Sequence, residues 1–166
     1  PYITELHQRV SKTAKQLVGD DYEIVFVNDG SPDESLKHAV KLSETDSHVV
    51  VVDLSRNFGH HKAMMCGLMQ SSGERIFLID SDLEEEPEWL ICFSEQMAAE
   101  KPDVVYGVQK KRKGNMFEKL SGYLYYAILN LLLNIEHPKN IVTARLMTRR
   151  YVNALLSHKE QELVIS

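Results

Sequence analysis

The sequence predicts an α/β domain on a mostly parallel sheet, and three observations carry that prediction. Short apolar runs of strand length alternate with stretches of helical periodicity, the pattern of βαβ units. The run Val49-Val50-Val51-Val52 lacks polar alternation, which fits a strand covered on both faces. Acidic turns follow two of the runs, at Asn28-Asp29-Gly30-Ser31 and at Asp80-Ser81-Asp82. In open parallel sheets, ligands bind at such carboxyl ends.

The elements justify themselves in order. Ile3, Leu6, Val10 and Leu17 lie close to helical spacing, and Pro1 suits a first helical turn. Tyr22 to Val27 is a β-branched and aromatic run that ends in a turn. Residues Asp33 to Glu44 read as a helix, His48 to Leu54 as a second strand, and His60 to Gln70 as a second helix of the repeating pattern. Arg75 to Ile79 forms a third strand. Pro87 opens a further helix through Leu90, Ile91, Phe93 and Met97, and Asp103 to Val108 is a fourth strand.

After Val108 the rhythm changes. A basic run, Lys110 to Lys113, precedes the apolar stretch Met116 to Ile135. Glu118, Lys119, Asn130 and Asn134 interrupt that stretch. It therefore reads as a helix packed in the protein or lying on a membrane surface, rather than as a span.

Composition bounds the function. The 166 residues amount to about one domain, and 43% hydrophobic with 26% charged residues is ordinary for a globular one. A disordered tail, a collagen-like rod and a disulfide scaffold are excluded. The net charge of −5 argues against nonspecific nucleic-acid binding. Cys66 and Cys92, without paired spacing, fit a reduced cytosolic setting and read as buried apolar residues. The chain opens without Met or a signal peptide and closes on apolar residues, so both ends read as cut.

Asp80 and Asp82, at i and i+2 just past a strand, can share one hard cation with a phosphate ligand. Six acids lie between Asp80 and Glu88, a density of charge that calls for a neutralising partner. The later acids, Glu84 to Glu88, are assigned to the start of the following helix and need no functional role. The loop Ser55 to Lys62 supplies cationic and amide donors. Neighbouring His60 and His61 point apart on a helix and do not suit one metal. No Ser-His-Asp arrangement, P-loop or GxGxxG fingerprint is present.

Three motifs in this order and spacing resemble the family 2 glycosyltransferases of the GT-A fold. They are Val27-Asn28-Asp29-Gly30-Ser31-Pro32-Asp33, Arg56-Asn57-Phe58-Gly59 with Ala63 and Gly67, and Ile79-Asp80-Ser81-Asp82-Leu83 with Pro87-Glu88. The resemblance covers nearly the whole chain. Val105-Tyr106-Gly107-Val108, Arg145-Leu146-Met147 and Arg149-Arg150 are similar to the polyprenyl-phosphate branch, which includes dolichol-phosphate mannose synthases and bactoprenol glucosyltransferases.

The resemblance implies a Rossmann-like sheet whose first strand is missing here, so that residues 1–166 form a single truncated catalytic domain. It implies an inverting, metal-dependent transfer of sugar from a nucleotide-diphosphate donor of UDP or GDP type. The acceptor would be a polyprenyl phosphate, the setting cell-envelope or polysaccharide synthesis, and the metal Mg²⁺ or Mn²⁺. Asp29 matches the acid that recognises the base. Asp80 matches the first acid of the D-x-D motif, near ribose and metal, and Asp82 the second, a direct metal ligand. Asn28, Ser31, Asn57, Lys62 and Arg112 fall in the donor-binding set. Arg145 and Arg149 would lie near the acceptor phosphate or the diphosphate, and Glu160 on the acceptor side.

This sequence departs from the pattern at Asn28, where an Asp is usual, and at Gln109, where an Arg is common. A general-base acid pair is not evident, which suits a lipid phosphate that is already an anionic nucleophile. The expected location is cytoplasmic, at the inner face of a membrane, as a possible homo-oligomer without nucleic-acid partners. The competing readings are a sugar-nucleotide nucleotidyltransferase and a non-catalytic receiver-like module around Asn28, Asp29 and Asp53.

Overall fold

The structure, a computed structural model, describes residues 2–108 and 141–157. The apolar spacing near the start produces helix α1 (Tyr2–Val18), whose buried face carries Ile3, Leu6, Thr13 and Ala14. Strand β1 (Ile24–Asn28) and strand β2 (Val49–Asp53) pair in parallel, from Ile24 opposite Val49 to Asn28 opposite Asp53. Helix α2 (Ser35–Thr45) crosses between them and buries Ala39. Helix α3 (His60–Gln70) packs on β1 through a close approach at Gly67, where a Cβ would come within 3.1 Å of Val27.

Strand β3 (Arg75–Leu78), helix α4 (Trp89–Glu100) and strand β4 (Val104–Val108) continue the alternation. Strand β5 (Ile141–Thr148) then inserts between β3 and β4, antiparallel to both, and helix α5 (Arg149–Ser157) follows it. The α/β class holds, with parallel pairing at β1–β2 and parallel directions for β3 and β4. The unanticipated element is β5. It pairs with strands roughly 40 and 70 residues back, and local periodicity does not register such distant partners.

Two apolar cores flank this second sheet. One joins Phe93, Met97, Val105, Val142, Ala144 and Leu146, with the Phe77 and Phe93 rings edge to face at 6.1 Å. The other joins Leu68, Ile76, Met147 and Val152. Alternate β5 residues thus feed opposite cores, as a strand covered on both faces requires. Among the described residues β1 and β3 do not pair, and no strand precedes α1.

Two expectations change. Helix α4 starts at Trp89, so Glu84 to Glu86 lie in the turn ahead of it rather than in its first turn. Cys92 is exposed rather than buried, because it falls on the outer side of α4, while Cys66 is half-buried. The basic run 110–113 and the apolar stretch 116–135 lie outside the described residues. Among the described residues, no helix is long and apolar enough to cross a membrane.

Candidate active site

The carboxyl ends of β1, β2 and β3 bring the site together. Asn28 closes β1, and its Nδ2 donates to Asp53 Oδ1 at the end of β2, 2.8 Å away. Its Oδ1 accepts the Ser31 amide at 3.2 Å, which shapes the turn. The departure from Asp at position 28 has a local reason: a carboxylate there would face Asp53 without a proton to donate.

Gly30 has φ 71°, and a Cβ on it would stand 3.0 Å from the Asn57 nitrogen. Only glycine suits both the left-handed backbone and the contact. The turn therefore presses on the loop 55–59, and Asp29 clasps that loop. Its carboxylate accepts the amides of Phe58 at 2.7 Å and Gly59 at 2.9 Å. The Arg56 guanidinium covers the Phe58 ring at 4.7 Å. Asn57 and Lys62 are exposed, on the loop and the first turn of α3 respectively.

The D-x-D turn faces the same helix start. His60 Nε2 stands 3.6 Å from Asp80 Oδ1. Asp82 is exposed, and its Oδ1 accepts the Glu84 amide at 3.0 Å. Leu83, at φ 62°, turns the chain sharply between them. Among the described residues, no three His, Cys, Asp or Glu side chains gather into a metal cage. Asp80 and Asp82 are the residues that could hold a cation. Two hard carboxylates with open surroundings suit Mg²⁺ or Mn²⁺, which take much of their shell from water and substrate phosphate.

Behind the turn the chemistry is buried. Leu78 of β3 pairs with Arg145 of β5, so Arg145 stands at the D-x-D end of the sheet. Arg145 is only 7% exposed, and its Nε and Nη2 donate to the carbonyls of Thr143 and Val142. Burial pushes its guanidinium below the ordinary value, while Tyr151, Glu85 and Asp80 pull it back through space.

Glu85, also 7% exposed, was not singled out by sequence reasoning. Burial pushes its carboxyl above the ordinary range. The nearby amides of Ala144, Thr143 and Asp80 oppose that shift, and the Asp80 charge adds to it. A run of acids gives no sign of which member is buried. The only signal was its place between Leu83 and Pro87, both removed from full exposure.

Arg149 is separated from this site. Thr148, its neighbour, pairs with Arg75 at the opposite end of β3. There Arg149 donates to the Gly73 carbonyl and to Ser71 Oγ, and so ties α5 to the end of α3. Position along the β3–β5 pairing, not the motif, decides which arginine stands at the D-x-D end of the sheet. Arg112 and Glu160 lie outside the described residues.

Comparison with known proteins places the chain. The sequence model described as Glycosyl transferase family 2 matches residues 2–156. The chain belongs to this family. A Mycobacterium tuberculosis (strain CDC 1551 / Oshkosh) protein named among the glycosyltransferases is 44% identical over 166 residues, covering 100% of this chain and 48% of the relative. The undecaprenyl-phosphate 4-deoxy-4-formamido-L-arabinose transferase of Salmonella paratyphi B is 35% identical over 150 residues, covering 90% of this chain and 44% of the relative.

The chain thus spans about half the length of the curated relatives it matches. A crystal structure of a mycobacterial protein superposes with a TM-score of 0.55 at 21% identity, over 88% of this chain and 50% of the other. That likeness supports the fold. Family membership displaces the nucleotidyltransferase and receiver-like readings.

Proposed function

We propose that this chain carries the donor site of an inverting glycosyltransferase that moves a sugar from a UDP- or GDP-sugar to a polyprenyl phosphate at a membrane surface. The observation that carries the reading is the convergence of the Asp29 clasp, the D-x-D turn and Arg145 at the carboxyl ends of β1 and β3, where His60 at the start of α3 approaches Asp80. The name of the Salmonella relative supports the acceptor class.

On this reading, the Asn28–Asp29–Ser31 turn and the loop around Asn57 form the wall beside the base, with Lys62 nearby for phosphate. Asp80 and Asp82 would hold Mg²⁺ or Mn²⁺, whose positive charge when bound would offset the negative charge of the departing diphosphate. Arg145 presents a permanent cation beneath the same turn. An oxygen of the acceptor phosphate attacks the anomeric carbon from the face opposite the leaving group. The anomeric C–O bond breaks and its electron pair leaves with the nucleotide diphosphate, which inverts the centre. The acceptor phosphate is anionic at neutral pH, so no side chain need remove a proton.

A thermal-shift screen of nucleotide sugars with Mn²⁺, run on the full-length protein, tests this. One UDP- or GDP-sugar should raise the melting temperature in a metal-dependent way. No stabilisation by any of them overturns the donor reading.

A further inference from the structure

Glu85 stands out among the acids of its loop. Asp82, Glu84, Glu86 and Glu88 are exposed, where a carboxylate costs little. Glu85 is buried, and its Oε2 has no hydrogen-bond partner among the described residues. A buried carboxyl in that state is expensive, and an amide or apolar side chain of similar size would relieve the cost. The backbone amides of Asp80, Thr143 and Ala144 lie near its carboxyl. Arg145 is the next residue along β5. Glu85 therefore lies where the D-x-D turn meets the strand that delivers Arg145, two residues before the fully buried Pro87.

We propose that Glu85 is a positioning residue of the donor site: lodged between the D-x-D turn and β5, its carboxyl sets the placement of Asp80 relative to Arg145. The proposal rests on the donor reading above. In this role Glu85 would meet neither substrate nor metal itself. It acts through the backbone amides that orient the groups which do, as outer-shell partners of metal ligands do in general. Among the described residues, the Asp80 carboxylate by itself has only a 3.6 Å approach from His60. The turn needs a second point of attachment to hold its carboxylate in one place.

The test is Mn²⁺ binding by the full-length protein in the presence of UDP or GDP, read from the electron paramagnetic resonance signal of the free ion, together with the melting temperature. Asp82→Asn is the control for the donor reading and should abolish nucleotide-dependent binding. Glu85→Gln keeps the shape but replaces an acceptor with a donor. It should weaken Mn²⁺ binding about tenfold. Asp103→Asn breaks the ties from Arg150 and Thr148 at the other end of β5. It should lower the melting temperature yet leave Mn²⁺ binding unchanged.

Wild-type binding by Glu85→Gln, or an equal loss in Asp103→Asn, overturns the proposal. If Glu85→Gln does not fold, Glu85→Asp, with its carboxyl drawn back by one methylene, serves instead. It should lose Mn²⁺ affinity, and wild-type affinity there overturns the proposal too. Wild-type protein that binds no Mn²⁺ with either nucleotide removes the donor reading itself. Wild-type binding abolished by Asp82→Asn leaves that reading standing, whatever Glu85 does.

Discussion

The two ends of the sheet treat their charges in opposite ways. At the amino end the polar groups are saturated. Asp46 accepts His7 Nε2 and His48 Nδ1, each at 2.8 Å, and the His48 amide at 2.9 Å. His48 in turn stacks on Tyr22 at 4.3 Å. Glu23 accepts the Ser72 amide and hydroxyl and the Gly73 amide, and Arg149 closes the same corner. At the carboxyl end Asp29 is held by two amides, but among the described residues Asp80 has only the distant His60, Asp82 takes one amide, and Glu85 keeps a buried oxygen without a partner. Saturated charges hold a fold together. Charges kept short of partners store binding capacity at the expense of stability.

Substitutions that exchange these roles test the contrast. The largest effect is expected at Asp82. Asp82→Asn in the full-length enzyme should lower metal-dependent transfer about 100-fold or more, roughly 2.7 kcal/mol, with little change in melting temperature. Retained transfer would break the comparison at its functional end. Arg149→Met should do the reverse, costing about 2 kcal/mol in denaturant unfolding while nucleotide binding persists, since it strips hydrogen bonds from a charged donor. Lost nucleotide binding at unchanged stability would return Arg149 to the site.

Asp46 gives a pH test. The His48 amide, the His48 ring and His7 together hold its carboxyl down from an ordinary 3.8 to about 2. Over that interval the unfolded chain binds more protons than the folded one. The stabilisation is therefore present above about pH 4 and lost as the pH falls toward 2. Asp46→Asn should cost about 1–2 kcal/mol near neutrality and flatten the acid limb of a stability–pH curve. A limb of unchanged steepness would remove Asp46 from the saturated set. The smallest effect belongs to the Asn28–Asp53 pair. Asn28→Asp should cost about 1 kcal/mol or less, and adding Asp53→Asn should restore most of it. Equal costs in the single and double variants would show that the pair is not coupled.

Much of this was legible in the sequence, and the remainder was hidden for identifiable reasons. The strands before Asn28 and Asp80 announce themselves as short apolar runs, and the turns that follow have the residues that turns require. The parallel β1–β2 pairing fits that pattern, while its register is a feature of the structure. Strand β5 was not legible, because Arg145 interrupts its apolar run and its partners lie far back in the chain. The same register separates Arg145 from Arg149, which look equivalent in the motif yet stand at opposite ends of β3. Glu85 was hidden because its environment is made by Thr143 and Ala144, nearly 60 residues away.

The contact between Gly30 and Asn57 has a consequence for how specificity can change. The turn after β1 and the loop after β2 lie so close that a Cβ on Gly30 would stand 3.0 Å from the Asn57 nitrogen, and Asp29 clasps the second from the first. Neither can be reshaped alone without displacing the other. A graft from a relative with a different nucleotide preference would have to carry residues 28–31 and 55–59 as one cassette. Exchanging either segment alone should yield a protein that binds neither nucleotide well.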